Sequence, residues 1–140
     1  MSAQKYYAAT MDEQMTQRDD LPLFEQTQKW LERYFNKEQP DPEALKLAPK
    51  GTDFRKTVWD ILLKIPYGRT TSYGAIAKSI TESRKGRKTS ARAVGGAVGH
   101  NPISIIIPCH RVVGSDGSLT GFASGLDKKV WLLQHEDVIL

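Results

Sequence analysis

One stretch of this chain is a helix with almost no side chains. Ala91-Arg92-Ala93-Val94-Gly95-Gly96-Ala97-Val98 follows Ser90, a good N-cap, and carries a single long residue, Arg92. Each glycine inside a helix costs about 1 kcal/mol relative to alanine. A sequence tolerates that where the helix backbone must come close to something. The partner is either another helix or a groove that takes one inserted side chain. A single arginine is too little to read major-groove base edges, which needs several long polar side chains. It suits a narrower groove.

The rest of the chain supplies helices for this one to pack against. Leu21 to Asn36 sets Phe24, Thr27, Leu31, Tyr34 and Phe35 on one broad face and predicts a helix. Pro40 and Pro42 stop it, and residues 37–51 form a connector. Thr52 caps a second helix running to about Lys64, with Phe54, Val58, Ile61, Leu62 and Ile65 as its stripe and Trp59 at the edge. Pro66-Tyr67-Gly68 is a turn, and Thr71-Ser72 caps a short helix from Tyr73 to about Ile80. Ile103–Ile107 reads as a short buried strand. Val112 to Gly121 resembles a hairpin turning at Asp116-Gly117. A last helix spans about Leu126 to His135, with Val130, Trp131 and Leu133 inward. Residues 1–20 are polar and poorly periodic, and no element is assigned to them. The expected fold is mainly α with short β elements.

At 140 residues the chain fits one ordinary domain with a small appendage. We divide it into a residual N-terminal segment, 1–50, and a main domain, 51–140. A single cysteine excludes an internal disulfide and a Cys-rich zinc site, and His100, His110 and His135 show no metal-ligand spacing, so no metal is expected. A lone reduced thiol suits the cytoplasm. No apolar run is long enough to span a membrane, and no membrane partner is expected. The net charge of +4 is compatible with nucleic acid but does not demand it.

The single thiol lies in Ile107-Pro108-Cys109-His110-Arg111. A thiol is a strong nucleophile as the thiolate, and an adjacent imidazole can take its proton. A buried structural cysteine fits the local sequence equally well. The helices 73–80 and 91–98 are joined by a turn carrying Arg84, Lys85, Arg87 and Lys88. That unit reads as a helix-turn-helix whose turn meets phosphates, or as a solvated charged loop.

Taken together, the pieces resemble the C-terminal domain of the O6-alkylguanine-DNA alkyltransferases. The resemblance runs from about Gly51 to Glu136. It covers Gly51-Thr52-x-Phe54, Val58-Trp59, Ile65-Pro66-Tyr67-Gly68, Ser72-Tyr73, Ala91-Arg92-Ala93-Val94-Gly95, Asn101-Pro102, Pro108-Cys109-His110-Arg111, Gly121-Phe122-Ala123 and Lys129-x-Trp131-Leu132-Leu133-x-x-Glu136. Each motif is weak alone; their order is specific. The resemblance implies a winged-helix-like helix-turn-helix catalytic domain. It implies transfer of an alkyl group from O6-alkylguanine in duplex DNA to Cys109, after the base is flipped out. His110 would act as base through a water, Glu136 would orient His110, and Asn101 would be the hinge between recognition helix and active-site segment. Arg92 would fill the vacated stack, and Tyr73 would help turn the nucleotide out and donate to guanine N3. Val112, Phe122 and Ala123 would floor the pocket through their backbone, with Lys129 nearby. No cofactor is implied, because the lesion is itself the alkyl donor. A thioether is a poor leaving group, so each chain would act once.

The chain departs from the family pattern in three places. The family's N-terminal sheet domain looks truncated, and with it the zinc ligands that some members carry. A monomer is expected, with association possible through the face that sheet would cover. Phe122-Ala123-Ser124 replaces a common tyrosine-serine-glycine run, which leaves only backbone contacts there. The basic turn is long for the family. Two other readings remain: a non-enzymatic lesion sensor of the alkyltransferase-like kind, whose members usually replace the cysteine, and a Cys-His thiol hydrolase, for which no oxyanion hole is evident.

Overall fold

The computed structural model describes residues 21–45, 47–84, 88–119 and 125–138. Helix α1 (Leu21–Phe35) leads through a short 3-10 turn (Pro42–Ala44) to α2 (Asp53–Leu63). Strand β1 (Thr71–Ser72) runs directly into α3 (Tyr73–Ser83), and α4 (Ala91–Gly99) follows. A single 3-10 turn (Cys109–Arg111) then enters β2 (Val112–Val113), and α5 (Leu126–His135) closes the described chain. The mainly helical expectation is borne out. Residues 1–20, and with them the question of the N-terminal sheet, lie outside the described residues, as do Lys85 and Arg87 of the basic turn.

Three helix starts follow the sequence closely. Thr52 Oγ1 accepts from Arg55 N at 3.2 Å, Ser72 Oγ from Ala75 N at 3.0 Å, and Ser90 Oγ from Ala93 N at 3.1 Å. Each side chain satisfies an amide that has no partner within its helix. Helix α4 packs on α2 and α3, burying Val94, Ala97 and Val98. Its slender backbone admits Trp59, whose indole Nε1 donates to the Ala97 carbonyl at 2.9 Å. Trp59 is therefore a core residue rather than the edge of a stripe. A Cβ at Gly95 would make an ordinary contact with the Tyr73 ring at 3.8 Å, and one at Gly96 would meet nothing within 4 Å among the described residues. Close packing among the described residues thus requires neither glycine of the pair.

Ile103–Ile107 is not a strand. Ile105, Ile106 and Ile107 are fully buried, but the backbone folds on itself. Ile107 N donates to the Ile103 carbonyl at 3.0 Å, and Ile105 takes a left-handed φ of 74°. That conformation is rare for a β-branched residue. Asn101 imposes it from outside, as its Oδ1 accepts from Ile103 N at 2.9 Å and its Nδ2 donates to the Ile107 carbonyl at 2.7 Å. The hairpin expected over Val112–Gly121 is described only as far as residue 119. Its turn forms, with Gly114 N donating to the Ser118 carbonyl at 2.8 Å and Gly117 at φ 85°. Yet β2 pairs in parallel with β1, Thr71 opposite Val112 and Ser72 opposite Val113. That pairing fastens the cysteine turn beside the start of α3.

On α5 the buried positions are Lys129, Leu132 and Leu133. Val130 is half-buried, and Trp131 is 41% exposed, stacked on His135 at 5.0 Å. The ring is thus an outer face of the helix rather than part of the core. On α1, Thr27, Leu31 and Tyr34 are buried as expected, together with Trp30, while Phe35 is half-buried; the side chain of Phe24 lies outside the description.

Candidate active site

The Cys109–Arg111 turn puts three consecutive reactive side chains into the interior. Cys109 is 4% exposed, and His110 and Arg111 are buried. Glu136 arrives from the end of α5, as the spacing to the far end of the chain requires. His110 Nε2 hydrogen-bonds Glu136 Oε2 at 2.5 Å. His110 Nδ1 is buried and, among the described residues, has no hydrogen-bond partner. A buried ring nitrogen left unpaired is costly, so this atom stands out as one with a use.

Glu136 serves more than the histidine. Arg111 donates from Nε to Oε1 at 2.8 Å and from Nη2 to Oε2 at 3.1 Å. Gly68 N donates to Oε1 at 3.0 Å, and Tyr34 Oη donates to Oε2 at 2.6 Å. Burial works against the carboxylate, but His110 and Arg111 outweigh it and hold Glu136 well below the usual range. Burial also pushes the His110 imidazole down, more than Glu136 lifts it, and the Arg111 and Lys129 charges push the same way. Burial thus favours the neutral imidazole beside the Glu136–Arg111 pair.

Burial pushes the Cys109 thiol up to about 11, against pulls from the Asn101 side chain, the Lys129 charge, its own backbone and Ser104. At neutral pH the thiol keeps its proton until something removes it. Lys129 Nζ donates to the Val112 carbonyl at 2.5 Å and stands 5.8 Å over the Tyr73 ring. Tyr73 is half-buried, and burial first, then the Cys109 charge, raises its phenol. It is a hydrogen-bond donor across the physiological range. Cys109, His110, Glu136, Asn101, Tyr73, Lys129 and Val112 are thus drawn into one locality. Arg92 is on the exposed side of α4 with Ala91, Ala93 and Gly96. Phe122 and Ala123 lie outside the described residues.

The sequence reading missed Tyr34, Ser104 and the structural part of Arg111 and Gly68. Arg111 and Gly68 stood in quoted motifs without a task. Tyr34 sat on a helical stripe that looked like core alone. Gly68 has a left-handed φ of 76°, and a Cβ there would lie 3.1 Å from the Glu136 carbonyl oxygen. Gly68→Ala should therefore lower stability by about 1–2 kcal/mol, the usual penalty for that conformation. Chemical denaturation at neutral pH checks it, and an unchanged midpoint would contradict the constraint.

Comparison with known proteins points the same way. The family model of the 6-O-methylguanine DNA methyltransferase DNA-binding domain matches residues 53–138. The methylated-DNA–protein-cysteine methyltransferase of Methanosarcina barkeri is 54% identical over 115 residues, 82% of this chain and 69% of that protein. That of Haemophilus influenzae is 46% identical over 121 residues, 86% of this chain and 65% of that protein. The crystal structure of Mycobacterium tuberculosis OGT in complex with DNA superposes with a TM-score of 0.71 at 48% identity, over 81% of this chain and 66% of that one. The chain thus spans about two thirds of the length of these relatives. With its matched stretch holding the cysteine turn, the helix-turn-helix and Glu136 alike, this chain belongs to the 6-O-methylguanine-DNA methyltransferase family.

Proposed function

We propose that the chain repairs DNA by moving an alkyl group, typically methyl, from O6-alkylguanine in duplex DNA onto Cys109. The observation that carries this is the asymmetry of His110. One ring nitrogen is anchored by Glu136, and the other is buried, unpaired and on the residue next to the only cysteine. A water between Nδ1 and Sγ would let the neutral imidazole take the thiol proton. Sγ then attacks the alkyl carbon. The S–C bond forms, the C–O6 bond breaks, and its electron pair returns to the guanine. Tyr73 donates toward guanine N3 as that charge develops, and Lys129 with the Val112 backbone flanks the base. Asn101 holds the cysteine loop to the end of α4. The product thioether is stable and the sequence holds no second cysteine, so each chain repairs one lesion; we infer that it does so as a monomer in the reducing cytoplasm.

The exposed face of α4 supports the DNA side of the reading. Gly96 opens onto free space, and Arg92 is the one long side chain near it. That face suits a minor groove entered closely by backbone, with Arg92 inserted where the flipped base left. Gly96→Leu should therefore raise helix stability by up to about 1 kcal/mol while weakening duplex binding at least tenfold. Thermal melting and fluorescence anisotropy on a lesion-bearing duplex check both halves. Unchanged binding would remove α4 from the interface.

The test of the whole reading is stoichiometry. Incubation with a duplex holding one O6-methylguanine should restore guanine in an amount equal to the protein and then stop. Binding without restored guanine would mean a lesion sensor, and continued turnover would mean a different chemistry.

A further inference from the structure

The Glu136 carboxylate is crowded in an uneven way. Oε1 takes Arg111 Nε and Gly68 N. Oε2 takes His110 Nε2 at 2.5 Å, Tyr34 Oη at 2.6 Å and Arg111 Nη2 at 3.1 Å. An ionised carboxylate offers about four lone-pair sites across its two oxygens. Three donors on one oxygen therefore share its electron density, and each weakens the hold of the others. Tyr34 is 1% exposed and comes from α1, before the stretch that the family model matches, residues 53–138. A buried phenol that only filled space would not need to reach the one oxygen that carries the histidine.

We propose that Tyr34 is a positioning residue for the transfer reaction, sharing Glu136 Oε2 with His110 and so setting how firmly the carboxylate holds the imidazole. The proposal rests on the functional reading above. The other groups facing this pair are Arg111, Lys129, Tyr67 and His135. Arg111 and Lys129 oppose a proton on His110. Tyr67 lies against the Arg111 guanidinium at 5.6 Å. His135 is turned away from the carboxylate, its Nε2 against the Tyr34 carbonyl at 3.0 Å. Among the described residues, Tyr34 is the one side chain besides His110 and Arg111 that hydrogen-bonds directly to Glu136. Removing its hydroxyl leaves every charge in place and changes only the sharing of Oε2.

The sign follows. Without the phenol, Oε2 accepts more strongly from His110 and the imidazolium is better stabilised. His110 should then gain proton affinity by about tenfold, one pH unit. In Tyr34→Phe the His110 Nε2 proton resonance should move downfield, and the acid limb of the single-turnover rate profile should move to higher pH. The rate should be lower on that limb and unchanged at alkaline pH. Uniform 3-fluorotyrosine labelling tests the same point without a substitution. It makes the phenol a stronger donor, so the resonance should move upfield. An unmoved resonance in either preparation would overturn the proposal, as would a rate loss equal at every pH, which indicates packing alone. If the unmodified chain transfers no alkyl group, the functional reading fails, while the resonance still decides how Tyr34 and His110 share the carboxylate.

Discussion

Cys109→Ala should abolish alkyl transfer completely and leave lesion-duplex affinity essentially unchanged. Cys109 is 4% exposed and contributes one sulfur to the buried site, so its loss makes a small cavity. Folding should fall by about 1 kcal/mol, too little to disturb the face of α4 proposed to meet DNA. The division of labour is the point of the experiment. On the proposed function, binding belongs to the helix-turn-helix, α3 and α4, and chemistry to the 3-10 turn. A single-turnover assay with anisotropy on the same preparation reads both. Retained transfer would remove Cys109 from the reaction, and lost affinity would show that the two regions are not separable.

Glu136→Gln should have the second largest effect, because it strikes reaction and fold together. Transfer should slow by about 10²- to 10⁴-fold as His110 loses its anchor and its preferred tautomer. Stability should fall by about 3–5 kcal/mol, since Arg111 is left as a buried charge without its counter-ion. The pH dependence carries the diagnosis. Glu136 titrates lower in the folded chain than in the unfolded one, so its stabilisation is complete above the ordinary glutamate value, about 4.3. It is lost as pH falls below that value toward the folded one. The gap in stability between the native chain and Glu136→Gln should therefore be widest near neutrality and shrink under acid. A gap independent of pH would mean that Glu136 contributes by shape rather than by charge.

The helical frame was legible because its signals are local. Thr52, Ser72 and Ser90 each cap a helix through their own side chain, and the stripes of α1 and α2 follow from a period of 3.6 residues. The cysteine loop was not legible in form. Three isoleucines look the same buried in a strand or in a coil, and the deciding bonds come from Asn101, outside the run. The partners of Glu136 were hidden for a related reason. Tyr34 lies 102 positions away and Gly68 lies 68, and contacts at such separations leave no local period to read. The sequence left open whether Gly96 faces another helix or a groove, and the fold shows that nothing within 4 Å among the described residues requires a glycine there.

The most direct measurement is the intact mass of the chain after incubation with duplex DNA containing O6-methylguanine, followed by peptide mapping. A gain of one methylene per chain, confined to the peptide holding Cys109 and absent after incubation with unmodified duplex, is the result expected. No gain from a chain that still binds the lesion, or a gain on any other residue, would contradict it.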